Sequence, residues 1–326
     1  MKAVLCKEYG PPESLAIEDI PSPKPGAGQI VVSVKAASLN FPDTLIIQNK
    51  YQIKPPLPFT PGCELAGVVK EVGEGVHHLK AGDRVLGVVP YGAFAQECIA
   101  PVERMVPIPE GMDFKTAASF LMTYGTSHHA LRNRARTTPG ESLLVLGAAG
   151  GVGLAAVEIG KQLGLKVIAC ASSDEKLELC RGHGADATIN YSSEDMRARI
   201  KEITDGKGVD VIYDAVGGTY TEAALRSSAW RGRLLVVGFA AGDIPKIALN
   251  LALLMERDII GVHWGAWVPR AHEEFAASVE ELGKWYRDGH IRPHISMQYP
   301  YTQVADAMHA MLERKVTGKL VITVDE

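Results

Sequence analysis

Short apolar runs separated by turns fill the first part of the chain. Apolar residues cluster at 29–35, 64–72 and 83–89, and turn segments such as Pro21-Ser-Pro-Lys-Pro-Gly26 stand between such runs. Brief strands with frequent turns are typical of β-rich, barrel-like modules. We therefore predict that residues 1–122 form a β-rich first domain.

The pattern changes from residue 123 onward, where strand-like apolar runs alternate with helical periodicity. The predicted strands span 142–146, 166–171, 187–190, 210–215, 233–237 and 258–262, and the predicted helices span 153–163, 174–181, 194–204 and 220–228. Such alternation is typical of a parallel sheet covered by helices on both faces. Residues 123–262 are therefore predicted to form a doubly wound α/β domain.

The last segment, residues 263–326, combines helical and strand patterns. Helical periodicity covers 273–289 and the region around 303–314, and a final strand is predicted at 319–324. Because a lone strand needs a sheet to join, we expect this segment to return to the first domain.

Charge and composition narrow the classes of function. The chain has 34 basic and 38 acidic residues and a net charge of −4, so it lacks the positive field that nucleic acids and anionic membranes attract. Its longest apolar stretch, 247–255, is far shorter than the roughly 20 residues that cross a bilayer. Lys7 and Glu8 interrupt any signal-peptide core. Five cysteines without CxxC spacing favour a reducing compartment, and we expect a cytoplasmic location.

A glycine-rich turn follows the first strand of the α/β region. The strand ends at Leu146, and Gly147-Ala-Ala-Gly-Gly-Val-Gly153 leads into a helix. Backbone N–H groups in such a turn, together with the helix N-terminus, bind a dinucleotide pyrophosphate. An ordinary tight turn is the alternative, but the strand–helix context favours a cofactor site formed by Gly150, Gly151, Val152 and Gly153.

The residues after the second strand indicate which dinucleotide is bound. An acidic residue at this strand tip usually binds the ribose 2′-hydroxyl of NAD, but here the strand runs into Ser172 and Ser173. Lys176 lies one helical turn from Ser172, and a hydroxyl with an ammonium suits a 2′-phosphate. This pattern favours NADPH, although Lys176 taken alone also fits a solvated helix residue. Tyr191, after the third strand, is either a further cofactor contact or a loop tyrosine.

Several stretches together resemble the medium-chain dehydrogenase/reductase superfamily, in its zinc-free quinone oxidoreductase (zeta-crystallin-like) branch. The stretches are Ala37-Ser-Leu-Asn-Phe-Pro-Asp43, Pro61-Gly-Cys-Glu-Leu-Ala-Gly67, Ala117-Ala-Ser-Phe-Leu121, Tyr124-Gly-Thr126, Gly147–Gly153 and Tyr213-Asp-Ala-Val-Gly-Gly218. The resemblance covers essentially the whole chain in collinear order. It implies an α/β protein with a GroES-like catalytic domain and a Rossmann domain.

Metal ligands distinguish the branches of this superfamily. Its zinc alcohol dehydrogenases carry a cysteine where this chain has Asn40, and Gly-His-Glu where it has Gly62-Cys63-Glu64. Catalytic zinc needs three suitable protein ligands, and the adjacent Cys63 and Glu64 point to opposite faces of a strand. We expect no metal site, and therefore direct hydride transfer from the nicotinamide.

The resemblance also implies roles for individual residues. Tyr51 matches in position a tyrosine near the substrate of related enoyl-thioester reductases, so it is the candidate proton donor or, alternatively, a packing residue. Asn40 is expected at the junction of nicotinamide and substrate, unless it only makes a strand-end hydrogen bond. Asp43 is expected to brace local backbone. Thr126 and Phe239 match nicotinamide-lining positions, their alternatives being a helix cap and a core residue.

Three further residues, Tyr124, His128 and Trp264, are candidates for the substrate cleft, and His128 is alternatively structural. The resulting hypothesis is an NADPH-dependent reductase of a small quinone or α,β-unsaturated carbonyl compound. The alternatives are a reductase of an enoyl or acrylyl thioester, and a non-catalytic structural or RNA-binding protein that holds NADPH. The net charge of −4 argues against RNA. The apolar strand 258–263 is a predicted sheet edge, and the resemblance implies a homodimer that pairs it.

Overall fold

The computed structural model describes residues 1–324. Its strands, in chain order, are β1 Lys2–Cys6, β2 Leu15–Asp19, β3 Gln29–Leu39, β4 Glu64–Val72, β5 Arg84–Val88, β6 Glu97–Pro101, β7 Met105–Pro107, β8 Ser142–Leu146, β9 Lys166–Ala171, β10 Ala187–Asn190, β11 Val209–Asp214, β12 Ser228–Val236, β13 Asp258–Gly261, β14 Ile295–Pro300 and β15 Lys319–Thr323.

The α-helices are α1 Phe41–Ile46, α2 Phe114–Ala117, α3 Thr126–His128, α4 Gly151–Gln162, α5 Asp174–Gly182, α6 Met196–Ile203, α7 Thr219–Arg226, α8 Asn250–Leu253, α9 Trp264–Trp267, α10 His272–Arg287 and α11 Val304–Leu312. Within the described chain, no helix is long and apolar enough to span a membrane.

The chain forms two units. Unit 1 comprises Met1–Met122 and the segment that begins at Pro293, and unit 2 comprises Thr123–Arg292. The return to unit 1 therefore begins well after the predicted position 263. The physical reason is that α10 belongs to unit 2, where Ser278 and Glu281 are hydrogen-bonded to His128.

Unit 1 is built on a seven-stranded sheet with the order β14-β15-β3-β4-β5-β7, and β6 also pairs with β3. The longest strand, β3, alternates buried side chains such as Ile30, Val32 and Val34 into the apolar core. The final strand β15 pairs antiparallel with β3, so that Leu320 lies opposite Leu39. The expectation that the last strand joins the sheet of the first domain is thus confirmed.

Unit 2 contains a six-stranded parallel sheet with the order β10-β9-β8-β11-β12-β13. Leu143, Leu144, Val145 and Leu146 on β8 are fully buried, as expected for a central parallel strand. The strand order reverses between β8 and β11, and such a reversal opens a ligand-binding crevice at the carboxyl ends of the strands. The predicted fold class, a GroES-like domain with a Rossmann-like parallel sheet, is confirmed.

The segment that starts unit 2 departs from regular helix, which the sequence pattern does not predict. Two π-helical turns, Leu121–Gly125 and His129–Arg134, flank the short helix α3. Turns of this kind are rare and occur frequently at functional sites. Thr126, one of the predicted cofactor contacts, is the first residue of α3.

Candidate functional site

The glycine turn after β8, residues 147–153, is called the phosphate turn below. Gly147 has a φ of +67°, which favours glycine. A Cβ atom on Gly153 would lie 2.2 Å from the carbonyl oxygen of Gly147, so that only glycine permits this approach of helix to turn. The helix begins at Gly151, two residues earlier than predicted, and Gly150 is its N-cap without a side-chain cap.

The first turn of α4 presents backbone donors. The first intrahelical bond of α4 runs from the N–H of Leu154 to the oxygen of Gly150, at 2.8 Å. The N–H groups of Gly151, Val152 and Gly153 precede it and have no acceptor within the helix. Together with the positive end of the helix dipole, these groups suit a pyrophosphate.

A hydroxyl and an ammonium lie at the tip of the neighbouring strand. Ser172 follows β9 directly, and the Nζ atom of Lys176 lies 3.5 Å from the Oγ atom of Ser172. Ser173 caps α5 by accepting the N–H of Lys176. Asp174, the first residue of α5, accepts a 2.8 Å hydrogen bond from the side chain of Asn190. The arrangement brings together the two groups predicted to hold a 2′-phosphate.

Tyr191 directly follows β10, the strand that pairs with β9. Its backbone N–H donates to the oxygen of Ala171 at the end of β9, at 3.2 Å. Its ring packs on the ring of Tyr220 with the centroids 4.5 Å apart. Both tyrosines are only partly buried, so the two packed rings form a partly exposed aromatic surface near the ends of β9 and β10. Tyr220 is missed by the sequence reasoning, because only the fold brings it next to Tyr191.

The two predicted nicotinamide contacts are in unit 2 and partly exposed. Thr126 lies inside a continuous helical segment, with helical φ and ψ at Gly125 before it, so the alternative role as a helix cap does not apply. Phe239 follows β12, and its ring lies 2.9 Å from the position of a Cβ atom on Gly217. Their roles toward a nicotinamide stay predictions.

A buried polar network, called the unit 1 network below, joins Asn40, Glu64 and Lys319. The Nζ atom of Lys319 donates to the Oδ1 atom of Asn40 at 2.6 Å and to the Oε2 atom of Glu64 at 3.1 Å. The amide nitrogen of Asn40 donates to the same glutamate at 3.0 Å and to the oxygen of Ser38 at 3.2 Å. The other carboxylate oxygen of Glu64 accepts the N–H of Met122 at 2.8 Å.

This network involves all the polar groups of the Asn40 side chain. Both amide hydrogens are donated to protein oxygens, and the oxygen accepts from an ammonium. Such an amide is held in one orientation and has little freedom to follow a substrate. The geometry therefore favours the alternative stated for Asn40, a hydrogen-bonding role at the end of a strand, over direct catalysis.

The residues at the positions of zinc ligands do not fit a metal ion. The ammonium of Lys319 already binds Asn40 and Glu64, and a second cation beside it would be repelled. In residues 1–324, no cluster of three or more histidine, cysteine, aspartate or glutamate side chains is arranged to hold a metal.

Asp43, Cys63 and Tyr51 form a second group in unit 1. Asp43 accepts the backbone N–H of Asn40 at 2.8 Å, which confirms the expected bracing of local backbone. The Cys63 thiol lies beside the Asp43 carboxyl and acts to lower its pKa. Burial raises the pKa of Asp43 to about 7, against the opposing effects of the Asn40 hydrogen bond, of Cys63 and of Lys319.

The candidate proton donor Tyr51 lies in the loop after α1 and packs partly buried against the unit 1 core. Burial, with smaller effects from Cys63 and Asp43, raises the pKa of Tyr51 to about 12. The phenol is therefore protonated at neutral pH. That is the state a proton donor needs before the reaction.

The three cleft candidates of unit 2 have internal partners. The Tyr124 hydroxyl donates to Glu158 at 2.5 Å. His128 lies between Ser278 at 2.8 Å and Glu281 at 2.7 Å, and burial lowers its pKa. Trp264 is buried against Gly125. These contacts favour the structural alternative for His128, and they give Tyr124 and Trp264 packing contacts within their own unit, while a place in the substrate cleft stays a prediction.

Lys319 is the most consequential residue that the sequence does not reveal. It lies in a predicted strand, and a lysine at the start of a strand is usually solvated. Its partners Asn40 and Glu64 are distant along the chain, so only the pairing of β15 with β3 and of β3 with β4 brings the three together.

Comparisons with known proteins agree with this architecture. Residues 26–110 match the alcohol dehydrogenase GroES-like domain family, and residues 151–284 match the zinc-binding dehydrogenase family. The chain is 40% identical over 325 residues to the quinone oxidoreductase-like protein 2 homolog of Nematostella vectensis, with 98% of this chain and 88% of the relative covered. It is 36% identical to a quinone oxidoreductase of Pseudomonas aeruginosa, with 98% and 99% covered.

A solved structure extends the likeness to three dimensions. The crystal structure of Escherichia coli quinone oxidoreductase complexed with NADPH matches with a TM-score of 0.94 and 30% identity, covering 99% of this chain and 100% of that one. The chain therefore belongs to the medium-chain dehydrogenase/reductase superfamily, in its quinone oxidoreductase-like branch.

Proposed function

We propose that this protein is an NADPH-dependent, zinc-independent reductase that transfers a hydride to a quinone or an α,β-unsaturated carbonyl compound. The proposal is carried by the juxtaposition of Lys176 and Ser172 at the tip of β9, in the same sheet edge as the phosphate turn. The likeness to a quinone oxidoreductase solved with NADPH supports the same cofactor.

Each part of the cofactor has a matching group in unit 2. The N–H groups of Gly151, Val152 and Gly153 would bind the pyrophosphate, and Gly150 caps the helix that presents them. Ser172 and Lys176 would bind the 2′-phosphate, with Tyr191 beside the adenosine. Thr126 and Phe239 would contact the nicotinamide. Bound NADPH supplies the hydride.

Tyr51 completes the proposed reaction. A hydride added to the β-carbon of an unsaturated carbonyl compound leaves negative charge on the carbonyl oxygen, and that charge must be neutralised. The Tyr51 O–H donates its proton to the α-carbon, which converts the enolate to the saturated carbonyl product, and solvent returns a proton to the phenolate. Because its pKa is raised to about 12, Tyr51 enters the reaction protonated and the proton transfer is driven by the basic enolate.

The test is a panel of quinones, enals, enones and enoyl thioesters, with NADPH oxidation followed by absorbance. We expect turnover with a quinone or an enone, and an about 100-fold loss of alkene reduction in Tyr51→Phe, as for removal of a general acid. Tyr9→Phe, which removes the hydroxyl of another unit 1 tyrosine, is the control. Turnover confined to enoyl thioesters would establish the alternative substrate class. Full turnover by Tyr51→Phe on every substrate would exclude this donor.

We also propose that the protein is a homodimer. The edge strand β13 has one neighbour in the sheet, β12, and the segment before it exposes Ile244, Leu249, Leu253 and Leu254, of which Leu249 is 79% exposed. An apolar segment beside an open sheet edge favours pairing with a second copy. Light scattering should give twice the chain mass, and Leu253→Asp should shift it toward the monomer.

A further inference from the structure

A buried serine lies next to the predicted nicotinamide contact. Ser127 follows Thr126 in α3 and is fully buried in unit 2. Its Oγ atom lies 2.8 Å from the carbonyl oxygen of Val152 and 2.9 Å from the hydroxyl oxygen of Tyr213. Val152 belongs to the phosphate turn, and Tyr213 lies on the central strand β11 and is also fully buried.

The direction of these hydrogen bonds follows from the chemistry of the groups. A carbonyl oxygen has no hydrogen to give, so the Ser127 hydroxyl donates to Val152. Because a serine hydroxyl has a single hydrogen, the Tyr213 hydroxyl must donate to Ser127. Burial raises the pKa of Tyr213, so its hydroxyl stays protonated and available for this bond.

The chain of bonds joins two parts of the proposed cofactor site. Val152 lies in the first turn of α4, whose N–H groups suit the pyrophosphate. Thr126 lies where the nicotinamide contact is predicted, in a segment flanked by π-helical turns. Irregular backbone of this kind does not determine its own position as a long regular helix does, so tertiary contacts must hold it.

A second contact holds the same segment farther along α4. The Tyr124 hydroxyl donates to Glu158, which also accepts the backbone N–H of Arg292. Glu158 lies six residues beyond Val152 on α4. Ser127 thus ties the Thr126 segment directly to the phosphate turn.

We propose that Ser127 and Tyr213 are positioning residues for the nicotinamide end of the cofactor: the hydrogen bonds from Tyr213 to Ser127 and from Ser127 to Val152 set the distance between Thr126 and the phosphate turn. The inference rests on the proposed binding of NADPH. It assigns no contact with substrate or cofactor to either side chain.

The experiment compares the whole cofactor with a fragment that lacks the nicotinamide. Dissociation constants for NADPH and for 2′,5′-ADP are measured in the unaltered protein, in Ser127→Ala and in Tyr213→Phe. The rate of hydride transfer to an active acceptor is measured with NADPH and with NADPH deuterated at the transferred position. Ser278→Ala is the matched control, since it removes another buried serine hydroxyl from the same unit without a bond to the phosphate turn.

We expect Ser127→Ala to weaken NADPH binding about tenfold and to slow hydride transfer about tenfold, with a larger deuterium kinetic isotope effect on that rate. The affinity for 2′,5′-ADP should stay within about twofold of that of the unaltered protein. Tyr213→Phe should have a smaller effect with the same selectivity, because the bond from Ser127 to Val152 remains. If Ser127→Ala weakened the binding of NADPH and of 2′,5′-ADP equally, or changed neither affinity, the inference would be overturned. Failure of the unaltered protein to bind NADPH would instead overturn the proposed function.

Discussion

The phosphate turn of unit 2 is built from backbone groups, whereas the unit 1 network is built from side chains. In the turn, glycine is required because a Cβ atom on Gly153 would approach the Gly147 oxygen to 2.2 Å. In the network, an ammonium is required because Glu64 is buried and needs a counter-ion. The first arrangement is damaged by adding atoms, and the second by removing a charge.

Removal of the Lys319 charge should have the largest effect. Lys319→Met leaves the carboxylate of Glu64 buried and uncompensated, which should lower the free energy of unfolding by about 3–5 kcal/mol. Chemical denaturation measures the loss. The control is Lys2→Met, which removes one partner of the exposed ion pair with Asp19 and should lower the free energy of unfolding by less than about 1 kcal/mol.

The double variant Lys319→Met/Glu64→Gln separates charge from packing. Because it removes both charges, it should recover most of the lost stability. A double variant no more stable than Lys319→Met would show that the ion pair is not the source of the effect.

The buried carboxyl of Asp43 should make stability depend on pH. Its pKa is about 7 in the folded protein and 3.8 in the unfolded reference, so the folded state binds the proton more tightly. Its contribution is full below the unfolded pKa and is lost as pH rises to 7. Asp43→Asn removes this titration, so its free energy of unfolding should rise relative to that of the unaltered protein by about 4 kcal/mol between acidic and mildly alkaline pH.

Denaturation of both proteins across this range, at matched ionic strength, measures the difference. Comparing the two proteins cancels the titration of other groups, such as His129, whose pKa burial lowers to about 4. A difference between the two proteins that is constant with pH would contradict the assignment.

An added methyl group in the phosphate turn should weaken cofactor binding. Gly153→Ala forces α4 away from Gly147, and the displaced N–H groups should bind NADPH about 100-fold more weakly. Gly182→Ala is the control, because a Cβ atom there meets no atom within 4 Å. Unchanged affinity in Gly153→Ala would mean that the turn does not hold the pyrophosphate.

The smallest effect is expected for the choice of cofactor. Lys176→Ala should reduce a preference for NADPH over NADH by about tenfold, the equivalent of one charge-assisted hydrogen bond. Lys201→Ala, on α6, should leave the ratio unchanged. Equal affinity for both dinucleotides in the unaltered protein would refute the 2′-phosphate assignment.

The sequence predicts the phosphate turn well because its requirements are local. The steric limits and the strand–helix order both depend only on residues 142–162. Ser172 and Lys176 are likewise close together in the sequence, so their pairing is also a local feature. The unit 1 network and the bond between Ser127 and Tyr213 could not be predicted, since their members lie far apart along the chain. The network forms only when β15, β3 and β4 pair, and the Ser127–Tyr213 bond forms only when α3 packs within unit 2. The boundary at 263 was wrong for the same reason, because helical periodicity does not tell which unit a helix packs on.

The place of β15 in its sheet has a consequence for synthesis of the protein. This strand lies between β14 and β3, so the sheet of unit 1 stays incomplete until residues 319–323 have left the ribosome. By then the whole of unit 2 has already emerged. Unit 2 is thus free to fold during translation, while the end of β3 from Ala36 to Leu39, which pairs with β15, keeps an unpaired edge until then.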